Sequence, residues 1–125
     1  MRSLALVAAL AALSFSPLPA QAAGAVPTKV GQCVATTIKQ IANRLEGVAD
    51  SGDFIEYRNG IVGMSYEQDP AIAKAKAGDK VTLCLVSIPK GCPPGDNRGK
   101  FYSAADLRTH GKWKLPDAEH MCGGA

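Results

Sequence analysis

Apolar and polar residues alternate in short runs along most of the chain, and glycine- and proline-rich stretches separate the runs. This pattern predicts β-strands rather than long helices. Asp53 to Tyr57 and Ile61 to Tyr66 flank Asn59-Gly60, which predicts a hairpin with a type I′ turn because both turn residues tolerate positive φ. Val81 to Ile88 is apolar at both alternating sets of positions, and this predicts the most buried, central strand.

The last third of the chain predicts a second hairpin. Its strands are Lys100 to Thr109 and Lys112 to Leu115, and His110-Gly111 is its turn. Aromatic residues are available as a cross-strand pair in this hairpin, namely Phe101 or Tyr102 with Trp113.

Two segments depart from simple alternation. In Cys33 to Leu45 the apolar residues fall at helical spacing, but many residues are β-branched, and a strand is the interpretation adopted here. Pro70 to Ala77 predicts one short helix, since Asp69 can cap its N-terminus, four alanines favour it and Gly78 ends it. Ile72 is its only large apolar residue, so we expect the helix at the surface, covering an end of the sheet.

Together these elements predict a mostly β fold, a small antiparallel sandwich or barrel of about five to six strands with one short surface helix. The chain holds no internal repeat and no low-complexity tract. A single domain is therefore expected over residues 23–125.

The first 22 residues have the pattern of a secretory signal. Met1 and Arg2 form a short basic start, Ser3 to Phe15 is an apolar run, and Ala20-Gln21-Ala22 offers small residues to a signal peptidase. Prolines end the run before the roughly 20 apolar residues that a membrane span requires. We therefore expect a signal peptide over residues 1–22 and a secreted or periplasmic mature chain without a membrane span.

All four cysteines lie in the mature part, and an oxidising compartment favours two disulfides. Four cysteines allow three connectivities, which spacing alone does not separate. The preferred one joins Cys33 to Cys84, which lie in strand-like segments, and Cys92 to Cys122, which would tie the tail to a loop. No pair has the spacing of a zinc motif, so no metal is predicted.

Charge is unevenly distributed, although the formal net charge is only +3. Residues 46–69 hold six acids and one arginine, whereas residues 90–114 hold six bases and two acids. Either the two segments face one another or are solvated, or the basic segment is a face for an anionic partner.

Several motifs together resemble a group of small exported proteins of Gram-negative bacteria that have no assigned activity. The motifs are Gly78-Asp79-Lys80-Val81, Cys84 to Pro89, Cys92 to Gly99, Leu107-Arg108-Thr109 and His120 to Ala125. The resemblance covers roughly Gly31 to Ala125. It implies export and a common fold, and it transfers no catalytic or binding residue.

The segment from Cys92 to Gly99 is the best candidate for a contact surface. Two consecutive prolines fix φ, and a disulfide would anchor the loop at its start. The loop would then present Asp96, Asn97 and Arg98 from a rigid frame. Ordinary turn chemistry explains every residue of the loop except Arg98.

The last hairpin is the second candidate surface. Arg108 and Lys112 lie among aromatic residues, in the pattern that a stacking platform with phosphate contacts requires. Export argues against a nucleic acid, so an anionic polymer is the preferred partner of such a face. The aromatic residues of a hairpin nevertheless belong more often to the core.

Catalytic and metal-binding patterns are weak. Ser103, Asp106 and His110 have the residue types of a triad but would lie along one hairpin, and residues 117–122 combine ligand-type side chains with a paired cysteine. We therefore expect a monomeric binding module without catalysis, metal or cofactor, whose partner is an extracellular or periplasmic protein or an anionic polymer. The alternatives are an inhibitor of an extracellular lysozyme or protease, acting through the Cys92 to Gly99 loop, and a small hydrolase.

Overall fold

The computed structural model describes residues 8–16 and 24–124. Residues 8–16 are irregular and exposed, and the rest of the predicted signal, with its cleavage point, lies outside the described residues. Within the described ranges, no helix has the length and apolar character needed to cross a membrane.

Residues 24–124 form six strands and one short helix. In chain order they are β1 (Cys33–Asn43), β2 (Asp53–Tyr57), β3 (Val62–Met64), α1 (Pro70–Lys74), β4 (Lys80–Ser87), β5 (Phe101–Asp106) and β6 (Lys112–Pro116). The strands make one antiparallel sheet in the order β3-β2-β1-β4-β5-β6, and the sheet curls into a half-barrel. The predicted fold class is confirmed, in its barrel-like rather than its sandwich form.

β1 is the longest strand and connects the two halves of the sheet. Its first part pairs with β4, and its second part pairs with β2. A β-bulge inserts Lys39 between Ile38 and Gln40, so Ile38 and Ile41 both pack toward the core although they are three residues apart. The bulge explains the three-residue spacing of Ile38 and Ile41, and the strand prediction is confirmed over Cys33–Asn43.

The hairpin between β2 and β3 forms as predicted, but the predicted type I′ turn is wrong. A type I′ turn requires positive φ at both Asn59 and Gly60, but only Gly60 has positive φ (+88°). The Gly60 N–H donates to the Tyr57 carbonyl at 3.0 Å, and the Tyr57 N–H donates to the Ile61 carbonyl at 2.9 Å. This is a type I turn followed by a left-handed glycine, which requires positive φ at one residue only.

β4 lies in the middle of the sheet, as predicted, but it is buried on one face only. Val81, Leu83 and Leu85 point into the half-barrel and are at most 1% exposed. Cys84 is half-buried on the outer face, and Val86 is exposed. The prediction of burial on both faces is wrong because a curled sheet encloses a single interior.

The last hairpin is shorter than predicted. β5 ends at Asp106 because the Asp106 side chain accepts hydrogen bonds from the backbone N–H groups of Arg108 and Thr109 and so starts a turn. The predicted aromatic pair is wrong in its register, since Trp113 lies opposite Ala104. Trp113 instead donates from Nε1 to the hydroxyl of Tyr57 at 2.9 Å, across the interior.

The core fills the concave side of the sheet. Asp69 caps α1 by accepting from the Ala71 N–H at 2.8 Å, and the helix ends at Lys74 rather than at the predicted Ala77. α1 packs against β6, and its Ile72 is 1% exposed. The buried apolar residues are Ile38, Ile55, Tyr57, Ile61, Ile72, Val81, Leu83, Leu85, Tyr102, Ala104, Trp113 and Leu115.

Both predicted disulfides are confirmed. Cys33 and Cys84 lie directly opposite each other on β1 and β4 and are joined. Cys92 and Cys122 are joined between the loop before β5 and the tail. All four cysteines lie in the described part of the chain, and none of them is free.

Candidate functional site

The predicted contact loop is bound tightly to the tail of the chain. Arg98 donates from Nε and Nη2 to the two carboxylate oxygens of Asp96, both at 2.9 Å, and from Nη2 to the Gly124 carbonyl at 3.1 Å. The Gly123 N–H donates to Asp96 at 3.0 Å. We call these contacts, together with the Cys92–Cys122 disulfide, the clasp.

The clasp gives Arg98 a structural role that turn chemistry alone does not predict. Its guanidinium, with help from the Gly123 N–H, holds the pKa of Asp96 well below its usual range. Asp96 is half-buried, while Pro94 and Asn97 are exposed. The loop therefore presents Pro94 and Asn97 freely, and it uses Asp96 and Arg98 to hold its own shape.

Arg108 is likewise engaged by the fold. It donates from Nε and Nη2 to the two carboxylate oxygens of Asp79, at 2.7 and 2.9 Å, and from Nη2 to the Lys74 carbonyl. Asp79 is buried, and the Arg108 guanidinium holds its pKa below the usual range of a carboxyl. Arg108 thus joins the β5–β6 turn to the end of α1 and does not lie beside Lys112 as an open base.

The outer face of β4, β5 and β6 forms a shallow depression of about 470 Å³. We call it the outer trough, and the side chains that point into it are Thr82, Cys84, Ser103, Ala105, Lys112 and Lys114. Two cross-strand rows build it, because Cys84 pairs with Ser103 and Thr82 with Ala105, and these in turn lie opposite Lys114 and Lys112. Its floor is therefore made of small side chains, with two lysines along one wall.

The lysines of the outer trough are available for contacts. Lys112 and Lys114 are exposed, and neither forms an ion pair with another described residue. No acidic residue lines the trough. Of the basic residues predicted for a binding face on the last hairpin, the structure places Lys112 here and Arg108 elsewhere.

Of the aromatic residues predicted for a stacking platform, Phe101 is half-buried and lies on the same outward side of β5 as Ser103. Tyr102 and Trp113 are buried on the concave side of the sheet, whereas the lysines point outward. The structure also does not bring together Ser103, Asp106 and His110, which have the residue types of a catalytic triad. Ser103 points outward and Asp106 inward on the same strand, and His110 lies in the turn.

The acidic tail does not converge on a metal position. Asp117 accepts from the backbone N–H groups of Gly99 and Lys100, and Cys122 is in a disulfide. In the described part of the chain, no group of three or more His, Cys, Asp or Glu residues could hold a metal ion.

A second concavity, which sequence patterns do not predict, lies between the two edge strands. β3 and β6 touch through Gly63 and Leu115, where a Cβ on Gly63 would lie 3.0 Å from Leu115 Cδ1. Beyond this contact a groove of about 240 Å³ opens, the seam groove. Its lining residues are Arg44, Met64, Ser65, Tyr66, Lys114, Leu115, Pro116, Ala118 and Glu119.

The fold and these two concavities describe a small, disulfide-linked half-barrel with a cationic outer face and an apolar seam. Comparison of the chain with models of known families, with curated proteins and with solved structures returned no match. The resemblance to exported Gram-negative proteins therefore stays a prediction.

Proposed function

We propose that this protein is an exported binding module, without catalysis, that holds an extended anionic polymer along the outer trough. The observation that carries the proposal is the pair of exposed lysines, Lys112 and Lys114, beside a floor that contains no acid. Export is supported by the two disulfides, because disulfides form and persist in oxidising compartments.

The shape of the trough suits an extended partner. The lysines lie two residues apart on one strand, so their side chains leave the sheet about 7 Å from each other and can contact successive anionic groups. Small side chains such as Ala105 let a polymer approach the sheet closely. The hydroxyls of Thr82 and Ser103 can donate hydrogen bonds to its oxygens.

Dextran sulfate tests the proposal, with uncharged dextran of the same length as the control ligand. We expect dextran sulfate to bind at low ionic strength and to dissociate as salt is added, since charges are screened beyond about 10 Å at 0.1 M salt. Replacing Lys112 and Lys114 together with Gln should weaken binding roughly tenfold, as measured by calorimetry.

The matched control replaces Lys29 and Lys90 with Gln. Both lysines are exposed and lie outside the trough, and their loss changes the net charge equally. If the two double variants weaken binding to the same extent, binding follows net charge and the outer trough is not the site.

The clasp favours a second candidate function, inhibition of an extracellular hydrolase by residues 92–99. A disulfide and the Arg98 contacts fix this loop before any partner arrives, which lowers the entropy lost on binding. A panel of lysozymes and proteases tests it. Asn97→Ala should then reduce inhibition while Lys112→Gln leaves it unchanged, and a panel without inhibition removes this candidate.

A further inference from the structure

Arg44 stands at the wall of the seam groove in a fixed orientation. Its Nε donates to the Ser51 carbonyl at 2.8 Å, and its guanidinium carbon lies 4.3 Å from the centre of the Tyr66 ring. The side chain is only 14% exposed. A guanidinium held in this way loses little conformational entropy when it binds an anion, and its planar fork matches a carboxylate.

A carboxylate of the chain itself occupies this position. Glu119 accepts from Arg44 Nη1 through Oε1 at 3.1 Å, and the Glu119 carbonyl accepts from the Tyr66 hydroxyl at 3.3 Å. Glu119 lies after the end of β6 in a segment without regular structure, and its side chain is 36% exposed. Nothing else among the described contacts holds the Glu119 side chain, so a competing anion can displace it.

The floor beside Arg44 is apolar. Met64, Leu115 and Pro116 line it, and Lys114 stands at the rim. The volume of about 240 Å³ exceeds that of an apolar cavity that admits benzene, about 150 Å³, and is smaller than most drug-sized sites, which begin near 300 Å³. One ring or a short branched chain therefore fits.

We propose that the seam groove binds a small carboxylate that carries an apolar group, and that Glu119 holds the place of the ligand carboxylate in the free protein. The ligand carboxylate replaces Glu119 on Arg44, and the apolar group lies against Met64 and Leu115. Both a free carboxylic acid and the C-terminus of a peptide have this chemistry. The site is separate from the outer trough, with which it shares only Lys114.

The probe is 3-phenylpropionate, titrated into the purified protein and followed by calorimetry and by backbone amide NMR shifts. We expect binding with shifts centred on Met64, Tyr66 and Ala118. Acetate, which lacks the ring, and 3-phenylpropan-1-ol, which lacks the charge, should each bind at least roughly tenfold more weakly. Equal binding of the alcohol, or shifts centred elsewhere, would overturn the proposal.

Variants separate a binding role from a structural one. Glu119→Gln should tighten binding of 3-phenylpropionate several-fold, because it removes the internal competitor. Arg44→Lys should weaken binding roughly tenfold, and Ala118→Leu should block the groove without touching Arg44. Arg58→Lys, at an exposed arginine outside the groove, is the matched control and should leave the binding of 3-phenylpropionate unchanged. Unchanged or weaker binding by Glu119→Gln contradicts the proposal even if Arg44→Lys fails to fold.

A last comparison identifies the source of the ligand. N-acetylphenylalanine mimics the C-terminus of a peptide, so tighter binding of this compound than of 3-phenylpropionate supports a peptide ligand, and the reverse order supports a free acid. Lys112→Gln leaves the seam groove intact, so the failure of one of the two sites is distinguishable from the failure of the other.

Discussion

The clasp and the outer trough take their cations from the same basic segment, residues 90–114, but they use them in opposite ways. In the clasp, Arg98 is held by Asp96 and by a tail carbonyl. In the outer trough, Lys112 and Lys114 have no acidic partner among the described residues. The net charge of a segment therefore adds together charges that stabilise the fold and charges that are available to a partner. The contacts of each side chain in the structure show to which kind it belongs.

The acidic segment 46–69 and the basic segment 90–114 also show that net charge does not reveal which charges pair. None of the four ion pairs among the described residues joins segment 46–69 to segment 90–114. Glu56 pairs with Lys39 of β1, and Arg108 pairs with Asp79, which belongs to neither segment. Complementary totals along a chain thus do not predict that the two segments pair in space.

The largest expected effect comes from removing the core beneath the trough. Leu83 is fully buried between the outward residues Thr82 and Cys84. Leu83→Ala should lower the free energy of unfolding by about 4 kcal/mol, from lost apolar burial and a residual cavity. Urea unfolding measures this. Val86→Ala, on the exposed face of the same strand, is the control and should cost well under about 1 kcal/mol.

Hydrogen exchange completes this test. β4 is a middle strand, so its amides in Lys80–Ser87 should exchange most slowly, while those of the clasp exchange through local opening. Fast exchange throughout β4 would show that the core does not rest on this strand.

The next effect concerns the disulfide of the clasp. Replacing Cys92 and Cys122 with Ser should cost about 3.6 kcal/mol, because the bridge closes a loop of 30 residues in the unfolded chain. Exchange should rise in residues 92–99 and 121–124 and stay slow in β4. The corresponding variant of Cys33 and Cys84 should instead loosen β1 against β4. Equal loosening in both variants would contradict a division into independent regions.

The strands and the helix cap could be predicted because their causes are local, whereas the disulfide pairing, across 51 and 30 residues, was a preference among three connectivities that the fold confirms. Asp69 caps α1 with its own side chain, and each hairpin has its turn residues in sequence. The bulge at Lys39 and the single left-handed residue of the first turn could not be predicted, since the register against the partner strand sets them.

The candidate site was less predictable for the same reason. Arg44, Tyr66 and Glu119 are far apart in sequence, and only the closure of the half-barrel brings them together. The partners of Arg98 and Arg108 also follow from the fold, through the tail and through the end of α1. The spacing of the lysines on β6 was visible in the sequence, but the small floor beside them requires the order of the strands.

At alkaline pH the core around Tyr57 should lose stability before the contacts of the clasp do. Burial raises the pKa of Tyr57 to about 12, although the hydrogen bond from Trp113 lowers it. Because the folded-state pKa is raised, this contribution to stability is complete below pH 10.0 and is lost as pH rises toward about 12. The loss should reach roughly 2 kcal/mol, and Tyr57→Phe should abolish it. Unfolding followed from pH 9 to 12 checks this; a pH-independent free energy of unfolding contradicts it.

At acid pH the contacts of the clasp should lose stability before the core around Tyr57 does. The pKa of Asp96 is lowered by Arg98, so the contribution of the clasp is complete above the ordinary carboxyl pKa and is lost as pH falls through the lowered value. Asp79 and Arg108 should behave in the same way. Carboxyl carbon NMR should find both aspartates still ionised where ordinary ones are protonated, and Arg98→Gln should raise the pKa of Asp96 alone, toward the ordinary range. If Asp79 moves as well, the two pairs are coupled.

The smallest expected effect on stability best tests the contrast between the clasp and the outer trough. Lys112→Gln should change the free energy of unfolding by no more than about 0.5 kcal/mol, because its charge is exposed and unpaired with any described residue. Arg98→Gln should be measurably more destabilising, because it removes the two guanidinium hydrogen bonds to Asp96 and the donor to the Gly124 carbonyl. Binding of dextran sulfate should show the reverse order, with Lys112→Gln the weaker binder. The contradicting outcome is that the same variant shows both the larger loss of stability and the larger loss of dextran sulfate binding. In that case residues 90–114 do not divide into charges that hold the fold and charges that bind a partner, and the outer trough is not the binding site.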